Sequence, residues 1–272
     1  MASVKDELRF YPINIMHANR RSFSYLDMGE GEVVVLLHGI GSGAASWLHQ
    51  FKGLGKDYRL IAWDAPGYGT SSCLRNKEPK PDHYAAALHE LLKGLRIKKA
   101  TIVGHSLGAL VAASFARQWP DLVHKLILVN PALGYGRRSK SEKQAVIQQR
   151  VDQIDNLGAD GIAASRAANL LSANASEDAL ALVQHNMRRL SGPGYKQAAC
   201  MLAQGDLLED AGHYRGPVMV ICGTKDTITP PEGAKLVAAT YTNGIYFDLK
   251  GAGHASYIEK HYEFNKLIKY FV

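Results

Sequence analysis

Short apolar runs alternate with longer amphipathic segments along most of the chain. Residues 33–37 (VVVLL) form a continuous apolar run, which is typical of a strand buried on both faces of a parallel sheet. Residues 82–95 instead carry apolar side chains at helical spacing. Further strand-like runs occur at 58–63, 100–103, 126–129, 218–222 and 244–249. This alternation predicts βαβ units and an α/β fold with a mostly parallel sheet.

The pattern also predicts elements at both ends of this core. Residues 13–16 and 22–26 nearly alternate around a turn-like segment, which favours an antiparallel hairpin. A helix is expected at 44–51, and another at 230–239, where two prolines suit the first turn. A closing amphipathic helix should contain Phe264 on its apolar face.

The alternation stops between Pro131 and Pro217. These 87 residues contain no buried-strand run, but their apolar side chains recur at helical spacing. We therefore expect an all-helical cap at 131–217, inserted into an α/β core formed by residues 1–130 and 218–272. Such a cap would cover the active site and shape the substrate pocket, although a purely structural helical subdomain is the alternative.

Composition and charge exclude several classes of protein. The 272 residues carry a formal net charge of +7, but the basic residues are scattered and the longest cluster lies at 136–143. No aromatic residues interleave with that cluster, so we expect no nucleic-acid partner and at most a weak preference for anionic substrates. No metal-ligand spacing or phosphate-binding loop indicates a cofactor or a metal. The oligomeric state is left open.

The cysteines and the N-terminus indicate an intracellular protein. Cys73, Cys200 and Cys222 are too widely spaced for a plausible disulfide framework, and Cys222 is expected inside a strand. The N-terminus has no apolar signal segment, and no run of eighteen apolar residues occurs. We therefore expect a soluble cytoplasmic protein that does not associate with membranes.

A Gly-x-Ser-x-Gly motif lies between a strand-like run and an alanine-rich helical segment. This motif, with Gly104, Ser106 and Gly108, is typical of a nucleophile elbow. The turn is so tight that a Cβ atom at either glycine would clash with a neighbouring element. The strand-to-helix turn would expose the Ser106 hydroxyl at the carboxyl end of the sheet.

A serine hydroxyl needs a base and a group that orients the base. Asp226 and His254 each follow a predicted strand, so the topology can bring both to Ser106. Asp64 also follows a strand and is the alternative acid. However, Asp64 precedes the elbow in a Pro-Gly-rich turn, and we assign it to the architecture of that loop.

With these motifs the chain resembles the small, helical-capped serine hydrolases of the α/β-hydrolase fold, over essentially its whole length except the cap. The resemblance rests on four motifs: His38-Gly39, Asp64-x-Pro-Gly-x-Gly, Gly104-x-Ser-x-Gly108 and Gly253-His254. The shared order of Ser106, Asp226 and His254 implies a nucleophile, an orienting acid and a general base.

The resemblance also implies residues around the triad. Backbone N–H groups of Leu107 and Ile40 would form the oxyanion hole. His38 would brace its loop or touch substrate, and Tyr257 would line the pocket or belong to the core. The residues expected to contact substrate are His38, Gly39, Gly41, His105, Tyr135 and Tyr257.

The function expected from these residues is hydrolysis of an ester or lactone of a small carboxylic acid through an acyl-serine intermediate. Two alternatives stay open. Meta-cleavage C–C bond hydrolases share the cap and the triad, but they usually have a tryptophan just after the histidine, whereas here Ala255 follows His254. A ligand-binding receptor that uses the same pocket is the alternative outside enzymes.

Overall fold

The computed structural model describes residues 4–272. Residues 1–3 lie outside the described residues. They are the first residues of the predicted core and of the N-terminal segment in which we expect no signal peptide. The strands are β1 (Ile13–Ala18), β2 (Arg21–Met28), β3 (Val33–Leu37), β4 (Arg59–Trp63), β5 (Ala100–His105), β6 (Val123–Val129), β7 (Val218–Gly223) and β8 (Gly244–Leu249).

The strands form one eight-stranded sheet of order β1-β2-β4-β3-β5-β6-β7-β8. Only β1–β2 and β2–β4 pair antiparallel, while all pairs from β4–β3 to β7–β8 are parallel. This confirms the predicted α/β fold with a mostly parallel sheet. β3 and β5 pair side by side, so their carboxyl ends meet at the same edge. That edge carries the candidate site.

Helices cover the sheet and form the insertion. They are α1 (Val4–Leu8), α2 (Leu48–Leu54), α3 (Pro81–Gly94), α4 (Leu107–Gln118), α5 (Lys140–Arg166), α6 (Glu177–Met187), α7 (Gly192–Gln204), α8 (Leu207–Ala211), α9 (Pro231–Thr240), α10 (Ser256–Glu259) and α11 (His261–Phe271). In the described part of the chain, three 3-10 turns lie at Ala44–Trp47, Pro120–Leu122 and Ala168–Leu170.

Most element boundaries agree with the predicted ones to within a few residues, and the exceptions have local causes. The helix expected at 44–51 begins as a 3-10 turn, in which the Ala44 N–H donates to Asp64 Oδ1 at 2.9 Å. The short helix α1 has no buried residues and gave no pattern to detect. Cys222 is buried within β7, as expected.

The segment between β6 and β7 is helical, as its spacing predicted. α5 packs against α6 and α7, while α8 packs against α4 and α9 of the core. The boundaries of a separate cap at 131–217 stay a prediction. α5 is bent at Gly158, whose φ of 61° and ψ of −177° are not helical.

Among residues 4–272, none of the helices is long and apolar enough to cross a membrane.

Candidate active site

Ser106 occupies the tight turn between β5 and α4. Its φ of 51° and ψ of −113° lie outside the usual regions for a residue with a side chain. A Cβ atom at Gly104 would collide with the Gly108 carbonyl, and one at Gly108 would collide with the Leu37 carbonyl. The close approach of three backbone segments therefore requires both glycines, which is the geometry expected of a nucleophile elbow.

His254 and Asp226 form a buried pair at the ends of β8 and β7. His254 Nδ1 donates to Asp226 Oδ2 at 2.9 Å, and the two side chains are 5% and 0% exposed. In the neutral ring this bond assigns the proton to Nδ1, so Nε2 is left as an acceptor. Burial alone would raise the pKa of Asp226, but hydrogen bonds from His254 and Asn130 and the charge of His254 lower it below its ordinary value.

Asn130 and Thr229 hold the carboxylate of Asp226, and sequence reasoning missed both. Asn130 Nδ2 donates to Asp226 Oδ2 at 2.7 Å, and the Thr229 hydroxyl donates to the same oxygen at 2.8 Å. The backbone N–H groups of Ile228 and Thr229 donate to Oδ1 at 2.8 and 3.0 Å. Two sequence signals for these residues were available: Asn130 directly follows β6, and Thr229 lies three residues after Asp226.

Ser106 and His254 line one cavity, whereas Asp226 lies behind His254. The Ser106 hydroxyl forms no direct hydrogen bond with the His254 ring among the described residues. Such bonds are often long or poorly aligned before substrate binds. The fold thus brings the three predicted residues together, with the acid–base pair formed and the serine facing the same cavity as the imidazole.

Two backbone N–H groups beside Ser106 are available to bind an oxyanion. Leu107 begins α4, so its N–H has no partner within the helix. Ile40 lies in the loop after β3, and its carbonyl accepts from the Tyr68 hydroxyl at 2.7 Å. Both residues line the cavity. The two N–H groups suit an oxyanion hole, and their role in catalysis stays a prediction.

His38 braces the loop that carries Ile40. Its Nδ1 donates to the Gly39 carbonyl at 2.8 Å, and its Nε2 accepts from the Ala65 N–H at 3.0 Å. Burial lowers the pKa of His38, which is consistent with a neutral ring that both donates and accepts. His38 does not line the cavity. The structure therefore supports the bracing role and not the expected contact with substrate.

Of the other residues expected to contact substrate, some line the cavity and one does not. Gly39, Gly41, His105 and Tyr135 line the cavity. Tyr257 does not, because its ring is 1% exposed and packs on Trp47 with a centroid distance of 4.2 Å. The expectation that Tyr257 touches substrate is therefore corrected to a core position behind the site.

His105 is buried within the elbow as a neutral ring. Its Nε2 donates to the His254 carbonyl at 3.0 Å, while its Nδ1 is buried without a partner among the described residues. Burial and the nearby His254 lower the pKa of His105 to about 3. The hydrogen bond links the elbow to the loop that carries His254. His105 therefore helps to hold this loop in position relative to the elbow.

Asp64 performs the structural role assigned to it. Its Oδ1 accepts from the Ala44 N–H at 2.9 Å and its Oδ2 accepts from the Ser24 hydroxyl at 2.8 Å. These bonds connect three segments of the core, and none of them involves His254.

The cavity above Ser106 has a volume of about 260 Å³, which suits a small molecule. Its wall is completed by residues from the helical insertion that the sequence analysis did not identify, notably Arg150, Arg166 and Tyr195. The spacing of apolar residues in this segment predicted helices, but it did not predict which side chains would face Ser106. No group of three or more potential metal ligands occurs within residues 4–272.

Comparison with known proteins identifies the family of the chain. The profile described as "alpha/beta hydrolase fold" matches residues 32–261, which is most of the chain. The chain belongs to the α/β-hydrolase family. A relative from Acinetobacter baylyi, (E)-2-((N-methylformamido)methylene)succinate hydrolase, is 30% identical over 239 residues, covering 87% of this chain and 89% of its own length.

Two solved structures show the same fold at low sequence identity. An enol-lactonase from Burkholderia xenovorans LB400 superimposes on this α/β hydrolase with a TM-score of 0.86 at 23% identity, covering 95% of this chain and 99% of its own. A thermophilic esterase from Thermogutta terrifontis gives a TM-score of 0.85 at 23% identity, covering 95% and 97%. The two structures therefore share the fold of this chain.

Proposed function

We propose that this α/β hydrolase cleaves an ester or lactone bond of a small carboxylic acid through an acyl-serine intermediate. The observation that carries the proposal is the convergence of Ser106, His254 and Asp226 at one edge of the sheet. His254 is bonded to Asp226 at 2.9 Å, and its ring faces the same cavity as Ser106. This is the combination of nucleophile, base and orienting acid that acyl transfer needs.

In the acylation step, Ser106 Oγ attacks the carbonyl carbon while His254 Nε2 takes the hydroxyl proton. Asp226 holds the imidazole in the required tautomer and stabilises the imidazolium that forms. The negative charge that develops on the carbonyl oxygen is bound by the N–H groups of Ile40 and Leu107. The imidazolium then gives its proton to the alkoxide leaving group, and the acyl-enzyme remains.

In the deacylation step, His254 Nε2 removes a proton from a water molecule, whose oxygen attacks the acyl carbon. The same two N–H groups bind the second oxyanion. The proton returns through His254 to Ser106 Oγ as the bond between serine and the acyl group breaks. A free carboxylic acid and the original hydroxyl are the products, so His254 acts as base and acid in turn.

Ester or lactone cleavage is preferred to the other two hypotheses for two reasons. The relative and the two structures compared above are named as a hydrolase of a substituted succinate, an enol-lactonase and an esterase. Two of these names describe cleavage of a lactone or an ester, and none of the three describes cleavage of a C–C bond or reception of a ligand. The small cavity and the nucleophilic serine in a strained turn also suit acyl transfer more than passive binding.

The proposal is tested by treating the protein with a fluorophosphonate and measuring its intact mass, together with hydrolysis of 4-nitrophenyl butyrate. We expect one adduct on the wild type and none on Ser106→Ala, with kcat reduced by at least about 10⁴-fold. Ser42→Ala is the matched control, because Ser42 lines the same cavity and its variant should keep the adduct. Equal labelling and turnover in wild type and Ser106→Ala would overturn the assignment of the nucleophile.

A further inference from the structure

Two arginines face the cavity above Ser106 without an acidic partner there. Arg150 and Arg166 both belong to α5 and both line the cavity. The lining formed by the described residues contains no aspartate and no glutamate. The two arginines therefore contribute positive charge to a cavity whose described lining holds no balancing carboxylate.

Neither guanidinium is neutralised elsewhere. The Arg150 side chain makes one hydrogen bond, from Nη1 to the Val146 carbonyl at 3.2 Å, and Arg166 makes none within residues 4–272. Burial lowers the pKa of Arg150; the neighbouring Tyr195 and Tyr135 act to raise it, and the positive charge of Arg166 acts to lower it. Burial raises the pKa of the nearby Tyr195, so that phenol is neutral and provides no counter-charge.

Two acids of α5 are paired with cations outside that helix. Asp155 binds Lys196 at 2.7 Å, and Asp160 lies 3.8 Å from Arg188. Asp155 and Asp160 thus pair with cations outside α5, while the two cavity arginines of the same helix are left with unused donors. An arginine fork with free donors matches the two oxygens of a carboxylate.

The bend in α5 makes this arrangement possible. In a straight helix, residues sixteen positions apart would be about 24 Å apart and would point about 160° away from each other. The non-helical Gly158 lies between Arg150 and Arg166, so they belong to two differently directed limbs of α5. The bend therefore allows both side chains to reach one cavity of about 260 Å³.

We propose that the substrate is an ester or lactone that bears a second, non-reacting carboxylate, and that Arg150 and Arg166 bind this carboxylate. The inference rests on the ester or lactone hydrolysis proposed above and names the class of substrate. Binding of the remote carboxylate would orient the scissile carbonyl towards Ser106. It would also neutralise the two cations that the protein leaves unpaired.

The test compares charged and neutral esters that differ in one group. Mono-4-nitrophenyl adipate carries the carboxylate in the acyl half, and its neutral partner is methyl 4-nitrophenyl adipate. 3-Carboxyphenyl acetate carries it in the leaving half, and its partner is phenyl acetate. We expect the wild type to favour the anionic member of at least one pair by about 10-fold or more in kcat/KM.

Variants assign the preference to the two arginines. Arg150→Gln and Arg166→Gln should each lower kcat/KM for the preferred anionic ester by about 10-fold, mainly through KM, with little change for the neutral ester. Arg188→Gln is the control, because Arg188 belongs to the same insertion and does not line the cavity. It should behave as the wild type. Equal kcat/KM within both pairs, or equal losses on charged and neutral esters, would overturn the proposal.

A binding measurement separates failure of this inference from failure of the proposed reaction. Adipate and its neutral diamide are titrated by calorimetry into the wild type and into the Arg150→Gln/Arg166→Gln variant. Adipate binding that needs the arginines, in a protein that hydrolyses no ester and takes up no fluorophosphonate, would support the carboxylate site and reject the reaction. Ester hydrolysis at Ser106 with no charge preference and no adipate binding would reject the carboxylate site alone.

Discussion

His254 Nδ1 donates a hydrogen bond of 2.9 Å to Asp226 Oδ2, and Asp226 accepts from Asn130 and Thr229 at the same oxygen. In Asp226→Asn the side-chain amide can present an N–H to His254, which would favour the tautomer with the proton on Nε2. That tautomer cannot accept the serine proton. We expect kcat for 4-nitrophenyl butyrate to fall by about 10³–10⁴-fold with a smaller change in KM.

The control for this prediction is Asp64→Asn, the other buried aspartate at a strand end. Asp64 accepts hydrogen bonds from Ala44 and Ser24 and does not touch His254. Its substitution should therefore lower the melting temperature, with a much smaller loss of kcat than in Asp226→Asn. If Asp64→Asn lost as much kcat as Asp226→Asn while both proteins stayed folded, the choice between the two acids would be wrong.

Thr229 offers a test of how the acid is positioned. Its hydroxyl lies 2.8 Å from Asp226 Oδ2 and 3.1 Å from His254 Nδ1, so Thr229→Val removes contacts to both at nearly constant shape. We expect kcat and the rate of fluorophosphonate labelling of Ser106 to fall together by about 10-fold, corresponding to one hydrogen bond to a charged group. A lower melting temperature with an unchanged labelling rate would indicate a structural role only.

Stability should depend on pH through the buried His105. Its pKa is lowered from 6.5 to about 3 by burial and by His254. Between these two values the unfolded state binds a proton that the folded state does not, so the free energy of unfolding falls as the pH falls below 6.5. From pH 7 to pH 5 the loss due to this one histidine is about 2 kcal/mol.

The pH effect is measured by urea unfolding of the wild type and His105→Gln at pH 7 and pH 5. The variant should lose less stability on acidification, whatever its stability at pH 7, because other buried histidines such as His38 contribute to both proteins. His124→Gln is the control for replacing a histidine by glutamine, since His124 is exposed on β6. Equal losses in His105→Gln and wild type would contradict a neutral, buried His105.

The sheet and the three converging residues were predictable because each depends on a short local pattern. Runs such as residues 33–37 have to be buried on both faces, and the loops after such runs meet at one edge. Gly104 and Gly108 indicate a turn in which neither position has room for a Cβ atom. Those signals need no knowledge of how distant helices pack.

The cavity wall was not predictable for the opposite reason. Arg150 and Arg166 lie in a segment where the apolar spacing predicted helices, but the direction of each helix depends on its packing against the core and on one bend. Likewise, His38 and Tyr257 lie next to the site in the sequence motifs, yet their hydrogen bonds and ring contacts turn them away from the cavity. Which way a side chain points is decided by contacts between residues far apart in the chain.

Gly158 provides a direct test of the bend that brings the two arginines to one cavity. Its φ of 61° and ψ of −177° belong to a region that is essentially restricted to glycine, and a Cβ atom there would meet nothing within 4 Å. Gly158→Ala therefore adds backbone strain of about 1–3 kcal/mol without a clash, and straightening α5 relieves it. Straightening would separate Arg166 from Arg150.

We accordingly expect Gly158→Ala to raise KM for mono-4-nitrophenyl adipate several-fold, with little change for methyl 4-nitrophenyl adipate. Gly192→Ala is the matched control within the insertion, because Gly192 has no positive φ and its Cβ would lie 4.0 Å from Ile154 Cγ1, an ordinary contact. Since both variants add one methyl group to a helical region, only the bend distinguishes them. Steady-state kinetics on the two adipate esters measure the effect, and identical KM values in both variants would show that the bend does not set the position of the arginines.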